Sequence, residues 1–172
     1  MISSAGTLIV AALSKDGLVI SADALSTIDG GRAVPSRPKL KSVPGVAGTV
    51  STITGVGTFL PVPPHGTNAT RWFQTAQPTF SIEPIVGAGL ATNGDRALDL
   101  PSMSAIADKA AAQLSAYLIS DKPIDLPSPK KVCDILVFRY DAVTKVATRF
   151  RCVLVALPDS SVRVLEHSLK HS

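Results

Sequence analysis

The chain has 172 residues, 45% of them hydrophobic and 17% charged, which excludes a disordered chain and predicts one domain burying roughly two-thirds of its unfolded surface. Seventeen Lys and Arg against thirteen Asp and Glu leave a net charge of +4, yet the basic residues are scattered with few aromatics between them, which argues against nucleic-acid binding. No apolar run is long enough to span a membrane, and Met1 to Gly6 lacks a basic region followed by a long apolar one, so a soluble, cytoplasmic protein without a secretory signal is expected.

In chain order, Thr7 to Leu13 and Leu18 to Asp23 are short β-favouring runs joined by Ser14-Lys15-Asp16-Gly17, and the Asp-Gly pair predicts a hairpin. Both runs are almost wholly apolar, which predicts a sheet covered on both faces. A third strand is expected from about Arg32 to Val43, after the Asp29-Gly30-Gly31 turn, and a fourth from Ala47 to Thr54, ending at Gly55-Val56-Gly57. From Phe59 to Pro101 the prolines at 61, 63, 64, 78, 84 and 101 predict loop with short pieces. Ser102 is the expected N-cap of a helix whose Met103, Ile106, Ala107, Ala110, Leu114, Tyr117 and Leu118 share one face. Beyond a Pro-rich stretch at 123–129, Val132 to Tyr140 and Lys145 to Leu157 read as a hairpin turning at 141–144, and a short strand at Val162 to Leu165 precedes a polar tail. Strands, helix, strands in that order define an α+β class, with the helix on a mostly antiparallel sheet.

Thr7 is the first residue with a chemical reading. An N-terminal threonine is its own nucleophile and base, because its α-amine, with a pKa of about 8, accepts the hydroxyl proton. That requires cleavage before Thr7, and Gly6 leaves the preceding carbonyl unobstructed for attack by the Thr7 hydroxyl. Residues 1–6 are then a short propeptide, and residues 7–172 one domain. Closing the hairpin brings Thr7 near Asp23 to Thr27. A third strand returning beside it brings Lys39, whose charge favours the neutral α-amine and whose partner is Asp23. Gly55 and Gly57 end the fourth strand, where a backbone N–H can donate to an oxyanion. Each residue also has a plain alternative: strand ends for Thr7 and Asp23, a solvated edge strand for Lys39, relief of a crowded strand end for the glycines.

Gly6-Thr7-Leu8-Ile9-Val10-Ala11 and Lys15-Asp16-Gly17-Leu18-Val19-Ile20-Ser21-Ala22-Asp23, with intervals of sixteen from Thr7 to Asp23 and sixteen from Asp23 to Lys39, resemble the proteasome β-subunit and the related bacterial ATP-dependent protease peptidase family. The resemblance implies a shortened N-terminal-nucleophile (Ntn) hydrolase sandwich, a threonine endopeptidase matured at Gly6-Thr7, and catalytic Thr7, Asp23 and Lys39. It also implies a substrate-backbone contact at Thr27 and an oxyanion glycine at Gly55, the latter after an insertion of two residues. Neither cofactor nor metal is implied; the implied partners are a peptide or unfolded-protein substrate, a homo-oligomeric ring and an ATPase, with no nucleic acid and no membrane. Asp134 to Asp141 is similar to a central strand of the family, with Arg139 in place of its glycine. Pro61-Val62-Pro63-Pro64 stands where the family has its first long helix, and Asp159-Ser160-Ser161 is the one cluster offering a counterpart to the family's later serine and aspartate. Such departures suit a second reading, a non-catalytic proteasome-like scaffold.

Cys133 and Cys152 lie in strand-like segments and are expected as reduced core thiols. His167 and His171 are four apart, a spacing that binds metal on a helix, but further ligands are lacking. Trp72 and Phe73 either anchor the irregular middle or line a subunit contact.

Overall fold

The computed structural model describes residues 2–3, 8–14, 16–28, 32–35, 37–121 and 130–172. The protein is α+β with antiparallel sheets throughout the described strand pairs. Strands β1 (Ile2–Ser3), β2 (Ile9–Ser14), β3 (Gly17–Ala22), β4 (Leu25–Ile28), β5 (Arg32–Pro35), β6 (Lys41–Ser42), β7 (Thr49–Gly55) and β8 (Thr58–Leu60) come first. Helix α1 (Ala69–Thr75), β9 (Phe80–Ser81), α2 (Glu83–Asn93) and α3 (Leu100–Asp121) follow, and β10 (Lys130–Asp141), β11 (Val146–Ala156) and β12 (Val162–His171) close the order.

The main sheet has five strands in the order β12-β11-β10-β7-β6. One face of it carries Cys133, Ile135 and Val137 opposite Leu154, Cys152 and Phe150, all buried beneath α2 and α3. From α3 the expected stripe supplies Met103, Ala107, Ala110, Leu114 and Leu118. Burial pushes both thiols up, that of Cys152 to about 12, so both cysteines are protonated, free core residues. Behind α3, Tyr117 stacks on Phe80 at 4.8 Å and meets Phe59 at 5.1 Å, while its hydroxyl lies 2.9 Å from Thr79 Oγ1.

The β2–β3 hairpin forms with Ser14 opposite Gly17, as the Asp-Gly signal predicts. It lies over the other face of the main sheet, where Ala11, Leu13 and Leu18 border a cavity of about 220 Å³ with Phe138 and Arg149. Its outer face departs from the expectation of a doubly covered sheet. Leu8, Val10 and Val19 are 68%, 57% and 66% exposed, because no described helix packs there.

Four further expectations are corrected. The stretch from Arg32 to Val43 is two short strands, since Pro35 and Pro38 lack amide donors; β5 pairs with β4, and β6 with β7, so neither lies beside the hairpin. The middle segment contains the eleven-residue α2, which accommodates Pro84 in its first turn, where no amide partner is needed. Gly87 and Gly89 lower its propensity, so its formation rests on burying Val86 and Leu90 against the core. Helix α3 is capped by Asp99, whose carboxylate accepts from the Ser102 N–H at 2.8 Å and its hydroxyl at 3.0 Å, and Pro101 sits in the first turn. The polar tail is strand: β12 runs to His171. On it His167 and His171 stand about 13 Å apart, too far to share one ion, and no described residues form a cluster able to hold a metal.

Trp72 and Phe73 anchor the middle segment. Phe73 is buried with Leu60 and Ala76, and the Trp72 indole N–H donates to Pro61 O at 3.2 Å. Arg139 donates to the carbonyls of Gly94 at 3.3 Å, Asp95 at 2.6 Å and Arg96, which fastens the α2–α3 link to β10. No described helix is long and apolar enough to cross a membrane.

Candidate active site

Asp23 ends the hairpin and Lys39 lies in the irregular link between β5 and β6, and their side chains meet. Lys39 Nζ is 2.8 Å from Asp23 Oδ1 and also donates to Leu25 O. The lysine side chain is 9% exposed and the aspartate 33%. Burying an ammonium is costly unless it is paired and hydrogen-bonded, and here both conditions hold. Asp23 Oδ1 also accepts from the Leu8 N–H at 2.9 Å, and the Asp23 N–H donates to Leu8 O at 3.0 Å. The residue that follows Thr7 in the chain is therefore tied by two hydrogen bonds to the acid that holds the lysine.

The hydrogen bond from Lys39 lowers the Asp23 carboxyl below the usual range, aided by the Leu8 and Leu25 amides. A carboxyl depressed in the folded state stabilises the fold above its unfolded pKa of about 3.9, and that stability is lost as pH falls through the lower folded value. Asp141 and Asp159 are shifted the same way by their own turns, Asp141 by the Thr144 and Val143 amides and Asp159 by the Ser161 hydroxyl and amide. Comparison with Asp23→Asn isolates the pair: the wild-type advantage in urea midpoint should be constant near neutrality and shrink below about pH 4. An advantage that persists unchanged to pH 2 would rule out an ionised Asp23 as its source.

On its other side Lys39 borders a cleft of about 130 Å³ that Gly55 and Gly57 also line. Gly55 ends β7 at φ +86°, and a Cβ there would lie 2.5 Å from Val132 O. The next amide, of Val56, donates to that same oxygen at 2.8 Å. The structure thus joins Lys39 to Asp23 by a direct pair and to Gly55 by a shared cleft wall. Lys39 arrives there on an irregular link, not on a strand beside the hairpin. Thr27 lies in β4 opposite Ala33, and its side chain is outside the described part of the structure. Gly6 and Thr7 lie outside the described residues as well.

The cleft has further charged walls that sequence reasoning missed: Arg37, Lys41 and Glu83. The run Arg37-Pro38-Lys39-Leu40-Lys41 reads as a solvated edge, yet Arg37 is drawn in by the carbonyls of Phe73, at 2.8 Å, and Ala76, and its guanidinium lies 5.9 Å from the Phe73 ring centre. These partners come from α1 and its C-terminus, too distant in sequence for any local signal. Asp159-Ser160-Ser161 forms the β11–β12 turn, where the Asp159 carboxylate accepts from the Ser161 N–H at 2.9 Å and its hydroxyl at 2.6 Å.

The class these observations define is an α+β protein with a helix-covered antiparallel sheet and a lysine–aspartate pair at a small cleft. Compared with protein-family models and with curated protein sequences, the chain gives no match.

Proposed function

We propose that the chain is a threonine-type amide hydrolase of the Ntn class, resembling proteasome β subunits and activated by self-cleavage at Gly6-Thr7. The observation that carries the proposal is the 2.8 Å Lys39–Asp23 pair, bonded through Asp23 to Leu8 and opening through Lys39 on the cleft shared with Gly55 and Gly57. In this reading the Thr7 hydroxyl attacks the Gly6 carbonyl, the acyl group passes from nitrogen to oxygen, and water cleaves the ester to free residues 1–6. The exposed α-amine then takes the hydroxyl proton as Thr7 attacks a substrate carbonyl. An acyl-enzyme forms, the leaving amine departs with a proton, and water releases the acid. Lys39 keeps the amine neutral by its nearby positive charge, Asp23 holds Lys39 in place, and an amide at Gly55 donates to the oxyanion.

Intact mass and N-terminal sequencing of the wild type and Thr7→Ala test this reading. The wild type should lose Met1 to Gly6 and begin at Thr7, and the variant should stay whole. If both remain intact on long incubation, the latent-nucleophile reading fails. The competing scaffold reading is favoured by one observation: Asp159, the only candidate for the family's later aspartate, spends its carboxylate on its own turn.

A further inference from the structure

The cleft beside Lys39 has an uneven charge balance. Arg37, Lys39 and Lys41 line it against one carboxylate, Glu83. Lys39 is committed to Asp23 at 2.8 Å, whereas Lys41 meets Glu83 only at 3.7 Å, with both side chains substantially exposed. Arg37 differs from the two lysines. Its Nε and Nη2 donate to the Phe73 and Ala76 carbonyls, which orient the guanidinium without neutralising it, and it forms no ion pair among the described residues. Two of its five donors are used, and the planar fork suits a carboxylate.

We propose that this cleft receives a carboxylate-bearing side chain, aspartate or glutamate, of the substrate residue whose carbonyl is attacked, with Arg37 as the recognition residue. The proposal rests on the hydrolase reading, since Lys39, assigned there to the Thr7 amine, and Gly55, assigned to the oxyanion, line the same cleft. Size and wall chemistry agree with it. About 130 Å³ is below the range of roughly 300–1,000 Å³ typical of whole small-molecule sites, so one side chain is the fitting occupant. Ile53, Leu60 and Phe73 offer apolar contact to its methylene stem, and the cationic end of a lysine is repelled. A charge-assisted hydrogen bond to an oriented, half-buried guanidinium is stronger than one to a mobile surface lysine, because the orienting cost is already met by the fold.

The test uses the full-length chain after self-processing, with fluorogenic acetyl-Ala-Ala-Xaa amides in which Xaa is Glu, Leu or Lys. The expected order of kcat/KM is Glu, Leu, Lys, with Glu ahead of Leu by about tenfold. Arg37→Gln should erase that lead. Because Arg37 also holds the α1 carbonyls and its loss can perturb folding, Glu83→Gln is the second variant: removing the one lining carboxylate should widen the lead of Glu about threefold. Cleavage in which Leu or Lys equals or exceeds Glu overturns the cleft assignment and leaves the hydrolase reading standing. If no peptide is cleaved, the hydrolase reading fails separately. Binding of acetyl-Ala-Ala-Glu-amide and its Leu and Lys analogues to the wild type, followed by amide shifts of Gly57 and Thr58, then decides: selective shifts with Glu uphold an acid-binding cleft, and equal or absent shifts overturn it.

Discussion

Replacing Lys39 with alanine should stop the chain from maturing and reduce any amide hydrolysis by on the order of a thousandfold, comparable to losing one member of a catalytic set. The nearly buried ammonium is the one cation paired with Asp23 among the described residues, and it stands between that acid and the cleft. Its removal leaves the Asp23 carboxylate with backbone amides and no cation among the described residues, and takes the lysine donor from Leu25 O. Stability should therefore fall as well, and the two effects separate by measurement. The rate of loss of residues 1–6, followed by mass at a temperature where circular dichroism shows the variant folded, reads chemistry alone. Lys39→Arg should restore part of the stability, since it keeps a charge for Asp23, but not the rate, because a guanidinium does not reproduce a point charge at Nζ. A Lys39→Ala chain that matures at the wild-type rate would reduce Lys39 to a structural counter-ion.

Gly55→Ala should destabilise the protein by about 3 kcal/mol, a drop in Tm of roughly 6 to 12 °C for a chain of this size. Two costs combine. At φ +86° an L-residue sits in the left-handed region, at about 1 kcal/mol or more. The new Cβ would also lie 2.5 Å from Val132 O and 3.1 Å from Cys133 Cα, atoms of backbone that cannot swing aside as a side chain would. Relief requires β7 and β10 to part at the point where the Val56 amide bonds to Val132. Gly66→Ala is the control: its φ is +82°, but nothing lies within 4 Å of the added carbon, so only the conformational cost, about 1 kcal/mol, should appear. Equal losses from the two substitutions would show that the contact with Val132 relaxes freely.

Where the sequence carried a local signal, the fold was legible. An Asp-Gly turn between apolar runs fixed the hairpin, and a helical stripe fixed α3, although its start was set by Asp99 and not Ser102. Helix α2 was not legible, because the prolines, Pro84 among them, read as breakers, Gly87 and Gly89 lower its propensity, and burial against α3 and β7 sustains it. The equal intervals from Thr7 to Asp23 to Lys39 pointed to a pair that does meet, but the route of Lys39 to it was misread, since prolines divide the expected strand. Arg37 and Glu83 escaped notice because the first is placed by α1 and the second by the start of α2, elements that pattern alone did not yield. The outer face of the hairpin shows the opposite failure: an apolar run implied a cover that the described residues do not supply.

The pairing of β1 with β8 ties the proposed maturation to the cleft. Ile2 and Ser3 stand opposite Leu60 and Phe59, on a strand whose Thr58 and Leu60 line the cleft. While tethered, this segment occupies its edge of β8 at an effective concentration in the millimolar range or above. Scission after Gly6 would turn that intramolecular contact into a bimolecular one, and a two-residue strand has too few ladder bonds to persist as a separate molecule. On the proposed maturation, departure of residues 1–6 would free a strand edge next to the cleft at the moment the nucleophile is released.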